Sequence, residues 1–231
     1  TTGSGNDTVT VTGDNTWIGA TGDGSSIIVS TGAGADTISV TIGALAVQTT
    51  SQAITITGGT GADTITKVGT NKTDVAATAH FVVAEGDSTA TAFDKVNGFD
   101  VADGTNFSDV IDFAGVGAVG TLATSTDSGT ILSHSLTGGV ALFDDAAVYA
   151  TALVISSTNL ADVVGYLHAN TAALDTIAFA YDTDGNGAND ATMVFNHGAT
   201  TDSLVELVGI TGVTSINATL TTATANTVAI A

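Results

Sequence analysis

Oxygen-bearing side chains recur in this chain at spacings that suit a hard cation. The stretch Asp182-Thr183-Asp184-Gly185-Asn186-Gly187-Ala188-Asn189-Asp190 sets side-chain oxygens at alternate positions, with glycine for a sharp bend. Ca²⁺ takes about six to eight oxygen ligands, and acidic loops of this kind supply them. The spacing D-x-D-x-N-G-x-x-D follows the logic of an EF-hand loop, but it lacks that loop's closing Glu. Its flanks, Ile177-Ala178-Phe179-Ala180-Tyr181 and Met193-Val194-Phe195, alternate like strands rather than helices. Asp182, Asp184, Asn186 and Asp190 are therefore candidate calcium ligands in a hairpin. The alternative is an ordinary Asp-Gly or Asn-Gly hairpin turn.

A second oxygen pattern lies near the start of the chain. Gly3-Ser4-Gly5-Asn6-Asp7-Thr8-Val9 returns as Gly32-Ala33-Gly34-Ala35-Asp36-Thr37-Ile38 and as Gly59-Thr60-Gly61-Ala62-Asp63-Thr64-Ile65. A weaker copy starts at Gly22, with Asp23 earlier in the motif and Ser26 in the Asp position, and a degenerate one starts at Gly13. The starts at 3, 13, 22 and 32 are 10, 9 and 10 residues apart, and the step to 59 is 27. A period near nine matches the nonapeptide repeat of a calcium-binding parallel β-helix. Glycine permits the tight turn, the Asp faces the ion, and the apolar residue after it points into a core. Asp7, Asp23, Asp36 and Asp63 are the candidate ligands. The alternative is a generic Gly/Asp turn between strands.

Between these regions, Phe93-Asp94-Lys95-Val96-Asn97-Gly98-Phe99-Asp100 leads to Asp103-Gly104 and then Asp109-Val110-Ile111-Asp112-Phe113. Val110, Ile111 and Phe113 read as core anchors. Asp100, Asp103, Asp109 and Asp112 read either as further cation ligands or as solvated turn carboxylates.

The composition agrees with a cation partner. Of 23 acidic residues 21 are Asp, against three Lys and no Arg, for a net charge of −20. Asp suits tight turns, whereas a merely soluble helical surface would also use Glu. A nucleic-acid binder needs clustered Lys or Arg, so that class is excluded. The absence of Cys removes disulfides and Cys-ligated zinc, and suits an exported protein. Hydrophobic residues at 43% and a mean hydropathy of +0.39 exclude an acidic disordered tail. No apolar run approaches the roughly 20 residues of a membrane helix. The sequence shows no H-E-x-x-H, G-x-S-x-G or Walker motif, and His80, His134, His168 and His197 are far apart in the chain. A non-enzymatic role is expected. The start at Thr1, without Met or an apolar leader, leaves a processed precursor or a piece of a longer protein as the two expectations.

The elements that must hold these residues are mostly strands. Thr at 43 residues, with many Val and Ile, favours β structure. Residues 1–70 are expected to form calcium-binding parallel β-helix or β-roll repeats. Residues 71–231 are expected to form a β-rich, sandwich-like region for lattice contacts or secretion. Leu160, Val163, Val164 and Leu167 fall at helical spacing and predict one short helix ending near Asn170, capped by Ser157, Thr158 or Asn159. The tail alternates apolar and small residues to Thr227-Val228-Ala229-Ile230-Ala231, compatible with an uncleaved export signal or with a final strand.

The G-x-G-x-D-T-[VI] copies resemble the RTX repeats of proteins exported by type I secretion, closely over about the first 70 residues and loosely beyond. The doubled glycine typical of such repeats survives at Gly58-Gly59. Abundant Thr, Ala, Gly and Val with almost no Lys looks like the RTX-type S-layer proteins of Gram-negative bacteria, as in Caulobacter. That resemblance implies several Ca²⁺ ions, folding triggered outside the cell, and self-association into a two-dimensional cell-surface lattice. It also implies anchoring to surface polysaccharide through a region not in this chain. Two other roles share the same calcium and export logic: a calcium-stabilised adhesin, and the C-terminal export domain of a secreted hydrolase.

Overall fold

The structure, a computed structural model, describes residues 1–12, 26–41, 52–69, 77–101, 109–113, 118–123, 126–217 and 227–231. In chain order the strands are β1 (Thr8–Thr12), β2 (Ser26–Ala33), β3 (Thr37–Thr41), β4 (Gln52–Thr60), β5 (Thr64–Val68), β6 (Ala77–Val83), β7 (Asp94–Asn97) and β8 (Val110–Phe113). Then come β9 (Ala118–Val119), β10 (Ser133–Thr137), β11 (Val140–Asp144), helix α1 (Leu160–Asn170), β12 (Asp175–Tyr181), β13 (Ala191–Asn196), β14 (Ser203–Val208), β15 (Ile216–Asn217) and β16 (Thr227–Ile230). Among the described residues the chain is mainly β, in two large mixed sheets with one helix.

The first eight strands alternate between the sheets. Parallel pairs β1–β3, β3–β5 and β5–β7 build one sheet, and β2–β4, β4–β6 and β6–β8 build the other. Thr8 pairs with Thr37 and Thr37 with Thr64, so the three clear sequence repeats stack directly on one another. The unit that repeats in space is therefore one whole turn of 27–31 residues, where the sequence spacing suggested nine. The weaker copies at Gly13 and Gly22, with Asp23, lie outside the described residues. Alternation explains the strand faces: on β3, Ile38 and Val40 are buried while Thr37 faces solvent. Ile38, Val40 and Ile65 meet Ile54, Ile56, Phe81 and Ile111 from the other sheet in a shared core. Each such fully buried side chain contributes about 1.5–3 kcal/mol.

The stacking does not stop at residue 70. It runs on through β7 and β8, and β14 then adds parallel to β7. The first sheet thereby reaches ten strands in the path β1-β3-β5-β7-β14-β13-β12-β11-β10, with β9 beside β12. Strands β9–β14 extend the coil's first sheet, and α1 packs on one face of them. The central strands β12, β13 and β14 are buried on both faces, as expected of a sheet covered twice. Met193 and Phe195 face the helix side with Phe143 and Phe179, while Val194 faces the coil core. On the helix Leu160, Val163, Tyr166 and Leu167 pack into the helix-side core. Asn159 is the N-cap residue, but its side chain bonds backward, accepting from Ser156 N–H and donating to Val154 carbonyl. The tail strand β16 pairs with β8 and β15 in the six-stranded sheet.

Candidate metal centre

One corner of the coil is lined by the stacked Gly-x-Gly-x-Asp segments at Gly3, Gly32 and Gly59. At Gly61 φ is +131°, and an added Cβ would lie 1.9 Å from the Gly34 carbonyl oxygen. The turns therefore touch backbone to backbone, which only glycine allows. This close stacking puts the Asp of each turn directly over the Asp of the next. Asp7 N–H donates to Asp36 Oδ1 at 2.8 Å, and Asp36 N–H donates to Asp63 Oδ1 at 2.8 Å. Asp63 N–H donates to Asp94 Oδ1 at 3.0 Å, and Asp94 N–H donates to Ser88 Oγ at 2.7 Å. The Ser88 hydroxyl ends the chain of bonds on the Leu204 carbonyl in β14.

Asp36, Asp63 and Asp94 are only 1–2% exposed. Their Oδ1 atoms are engaged, but Asp7 Oδ2, Asp36 Oδ2 and Asp63 Oδ2 are buried without a hydrogen-bond donor among the described residues. A Cβ at Gly58 would fall 2.2 Å from Asp63 Oδ2. The first glycine of the Gly58-Gly59 pair thus makes room for a carboxylate rather than for a bend. Burial pushes the Asp63 carboxyl up to about 6, against the Asp36 N–H, with the Asp36 and Asp87 carboxylates adding to the rise. Burial pushes Asp94 up to about 8, opposed by the Asp63 N–H and reinforced by Asp63 and Asp87. The column is thus a set of stacked carboxylates that requires a proton or a cation to be neutral.

The other predicted ligands separate into two places. Lys67 occupies an inward position of β5 and is 3% exposed. Its Nζ lies 2.9 Å from Asp100 Oδ2 and also contacts Asp109 Oδ2. Asp109 accepts from the N–H groups of Ala79 and Asp100 as well. Burial raises the Asp109 carboxyl, and the Lys67 ammonium opposes the rise. An ammonium thus stands where the sequence placed a metal beside Asp100 and Asp109. Asp112 sits on β8, half-buried, raised by burial and opposed by the nearby His80, away from any convergent group of carboxylates among the described residues. Asp103 lies outside the described residues.

The hairpin loop between β12 and β13 does bring its acids together. Asp182, Asp184 and Asp190 each offer an oxygen within 4.8 Å of the others. Asp182 accepts from Gly185 and Gly187 N–H at 2.7 Å and from Asn186 N–H at 3.2 Å, which curls the loop around its buried carboxylate. Asp184 accepts from Asn186 N–H and Nδ2, and Asn186 Oδ1 accepts from Ala188 N–H. Asp190 closes the loop by accepting from Thr183 N–H at 2.9 Å, and that bond holds its carboxyl below the ordinary range. The converging donors are all oxygens, the chemistry that suits a hard cation.

Asp94 was not among the predicted ligands, because its turn lacks the Gly-x-Gly signature. The remaining signal is Asp94-Lys95-Val96, which keeps the Asp-x-apolar order of Asp36-Thr37-Ile38. Comparison of the chain with family models, with curated proteins and with solved structures gives no match.

Proposed function

We propose that the chain is a calcium-dependent structural module of an extracellular protein, not an enzyme, whose folded form assembles into a cell-surface lattice of the S-layer type. The observation that carries the calcium reading is the β12–β13 loop, where three carboxylates converge in an oxygen-only set. The Asp7–Asp36–Asp63–Asp94 column adds support, since its buried oxygens would gain from a cation along the stack. On this reading the parallel coil is a calcium-binding roll of the RTX kind with long turns. Type I export, self-association and polysaccharide anchoring follow from the resemblance of the repeats and the composition. A chain of net charge −20 repels itself where Ca²⁺ is scarce. Millimolar Ca²⁺ outside the cell is in the range where extracellular modules bind, and binding to the folded state alone stabilises it.

The test compares the chain in EGTA and in millimolar Ca²⁺ by thermal melting, calcium titration and electron microscopy. Calcium should raise Tm and produce ordered sheets, and Asp190→Asn should remove at least one bound ion. Equal Tm in both buffers would sink the calcium reading. A calcium-stabilised protein that forms no sheets would sink the lattice reading alone.

A further inference from the structure

Three residues from three elements meet at the end of the helix, at the opposite end of β13 from the Asp182–Asp190 loop. His168 lies in the last turn of α1, His197 is the first residue after β13, and Asp202 is the last before β14. One donor atom from each lies within 4.8 Å of the others. The imidazole rings are 4.5 Å apart between centroids and inclined by 41°.

The hydrogen bonds fix which lone pairs are available. The Thr171 hydroxyl lies 2.7 Å from the Leu167 carbonyl and donates its one proton there. His197 Nδ1, 2.9 Å from the same hydroxyl oxygen, must therefore be the donor of that pair. Its proton is on Nδ1 and its lone pair is on Nε2. Metal-binding histidines are set in this way, the second nitrogen donating to a fixed acceptor. His197 is held on rigid backbone, since its N–H donates to the Asp175 carbonyl and its carbonyl accepts from Leu174 N–H.

His168 and Asp202 share a proton. Nδ1 lies 2.9 Å from Asp202 Oδ2, and a carboxylate can only accept. The other carboxylate oxygen, Asp202 Oδ1, is buried with no hydrogen-bond partner among the described residues. Two ligands of a tetrahedral zinc ion with bonds of about 2.0–2.1 Å stand roughly 3.3 Å apart. The His168–Asp202 pair would open by about 0.4 Å to admit the ion in place of the proton. His197 would close from at most 4.8 Å, and the exposed His168 has the rotamer freedom to adjust. A cation here also meets the negative end of the helix dipole.

We propose that His168, His197 and Asp202 form a site for a borderline divalent metal ion, Zn²⁺ above all, that ties the end of α1 to the β13–β14 turn. Two imidazoles and one carboxylate make a nitrogen-rich set that suits zinc and disfavours calcium. The fourth position faces solvent and takes water. The ion displaces the proton between His168 and Asp202, so binding releases a proton.

The test uses the full chain without a polyhistidine tag, in millimolar Ca²⁺ so that oxygen sites are occupied. Zinc is titrated by calorimetry, and Co²⁺ is used as a spectroscopic probe. One equivalent of Zn²⁺ should bind at micromolar concentration or tighter. Saturation at about 100 times Kd should raise Tm by roughly 5–10 °C. His168→Gln and Asp202→Asn should each weaken binding at least about tenfold and abolish the visible Co²⁺ bands. His134→Gln, whose ring bonds Tyr166 elsewhere, should leave both intact. His168 is exposed, so its substitution spares the fold. Absence of binding, or binding that both variants leave unchanged, would overturn the site. Either result is read independently of whether Ca²⁺ stabilises the chain.

Discussion

Replacing Asp94 by Asn should stabilise the protein, and the gain should depend on pH. Asp94 is 2% exposed, and burial with the Asp63 and Asp87 carboxylates nearby raises it to about 8 from an unfolded value of 3.8. Between these values the folded chain holds a proton that the unfolded chain has released. Stability therefore falls as pH rises from about 4 to about 8 and levels off above. From about pH 4 to pH 7 the loss at this one group is roughly 4 kcal/mol. Asp63, raised to about 6, acts in the same direction up to that pH. The Asn amide oxygen still accepts the Asp63 N–H, so the column keeps its hydrogen bond while the titration disappears. At pH 7, without divalent cations, Asp94→Asn should gain about 2–4 kcal/mol, a Tm rise of roughly 4–16 °C. At pH 4 the difference should vanish. The assay is thermal melting of both proteins from pH 4 to pH 8.5, in chelator and again in millimolar Ca²⁺. If calcium neutralises the column, it should raise the parent at pH 8 more than the variant. A variant no more stable than the parent at pH 7 in chelator would refute the argument that the buried carboxylates carry an electrostatic cost.

Two further substitutions test the packing around the carboxylates. Gly58→Ala would push a methyl to 2.2 Å from Asp63 Oδ2, so it should cost about 1–3 kcal/mol, read by urea unfolding. An unchanged midpoint would mean that the carboxylate has room to move. Lys67→Met should cost about 3–5 kcal/mol by leaving Asp109 buried without its ammonium. Adding Asp109→Asn should restore part of that loss, and failure to do so would show that the pair is not coupled.

Local patterns were legible wherever one strand or helix carries its own signal. Ile38 and Val40 alternate with Thr37 and Ser39, and Leu160, Val163 and Leu167 mark the helical face; both patterns appear as buried stripes. The oxygen spacing from Asp182 to Asp190 was legible for the same reason, being contained in one loop. The length of the coil was not. The three clear Gly-x-Gly-x-Asp copies mark one place in each of three turns, so the short spacings at the start of the chain hid a repeat of two strands per turn. The pairing of β14 with β7 joins residues more than a hundred apart in the chain and leaves no mark in either strand. Lys67 in Thr64-Ile65-Thr66-Lys67-Val68 looks like a surface residue until Asp100 and Asp109 arrive from later turns. His168, His197 and Asp202 likewise belong to three elements that only the folded sheet and helix bring together.

The Asp column also gives the coil a polarity. Each turn lends its N–H to the carboxylate of the following turn, and the last link is bolted through Ser88 to β14. Losing the first turn leaves an acceptor bare, which water can satisfy. Losing the last would orphan the buried Asp63 N–H and every bond behind it. A stack of this kind behaves as a one-dimensional array of turns, fixed at its β14 end. The C-terminal sheet is thus the anchor against which the turns from β7 back to β1 are stacked.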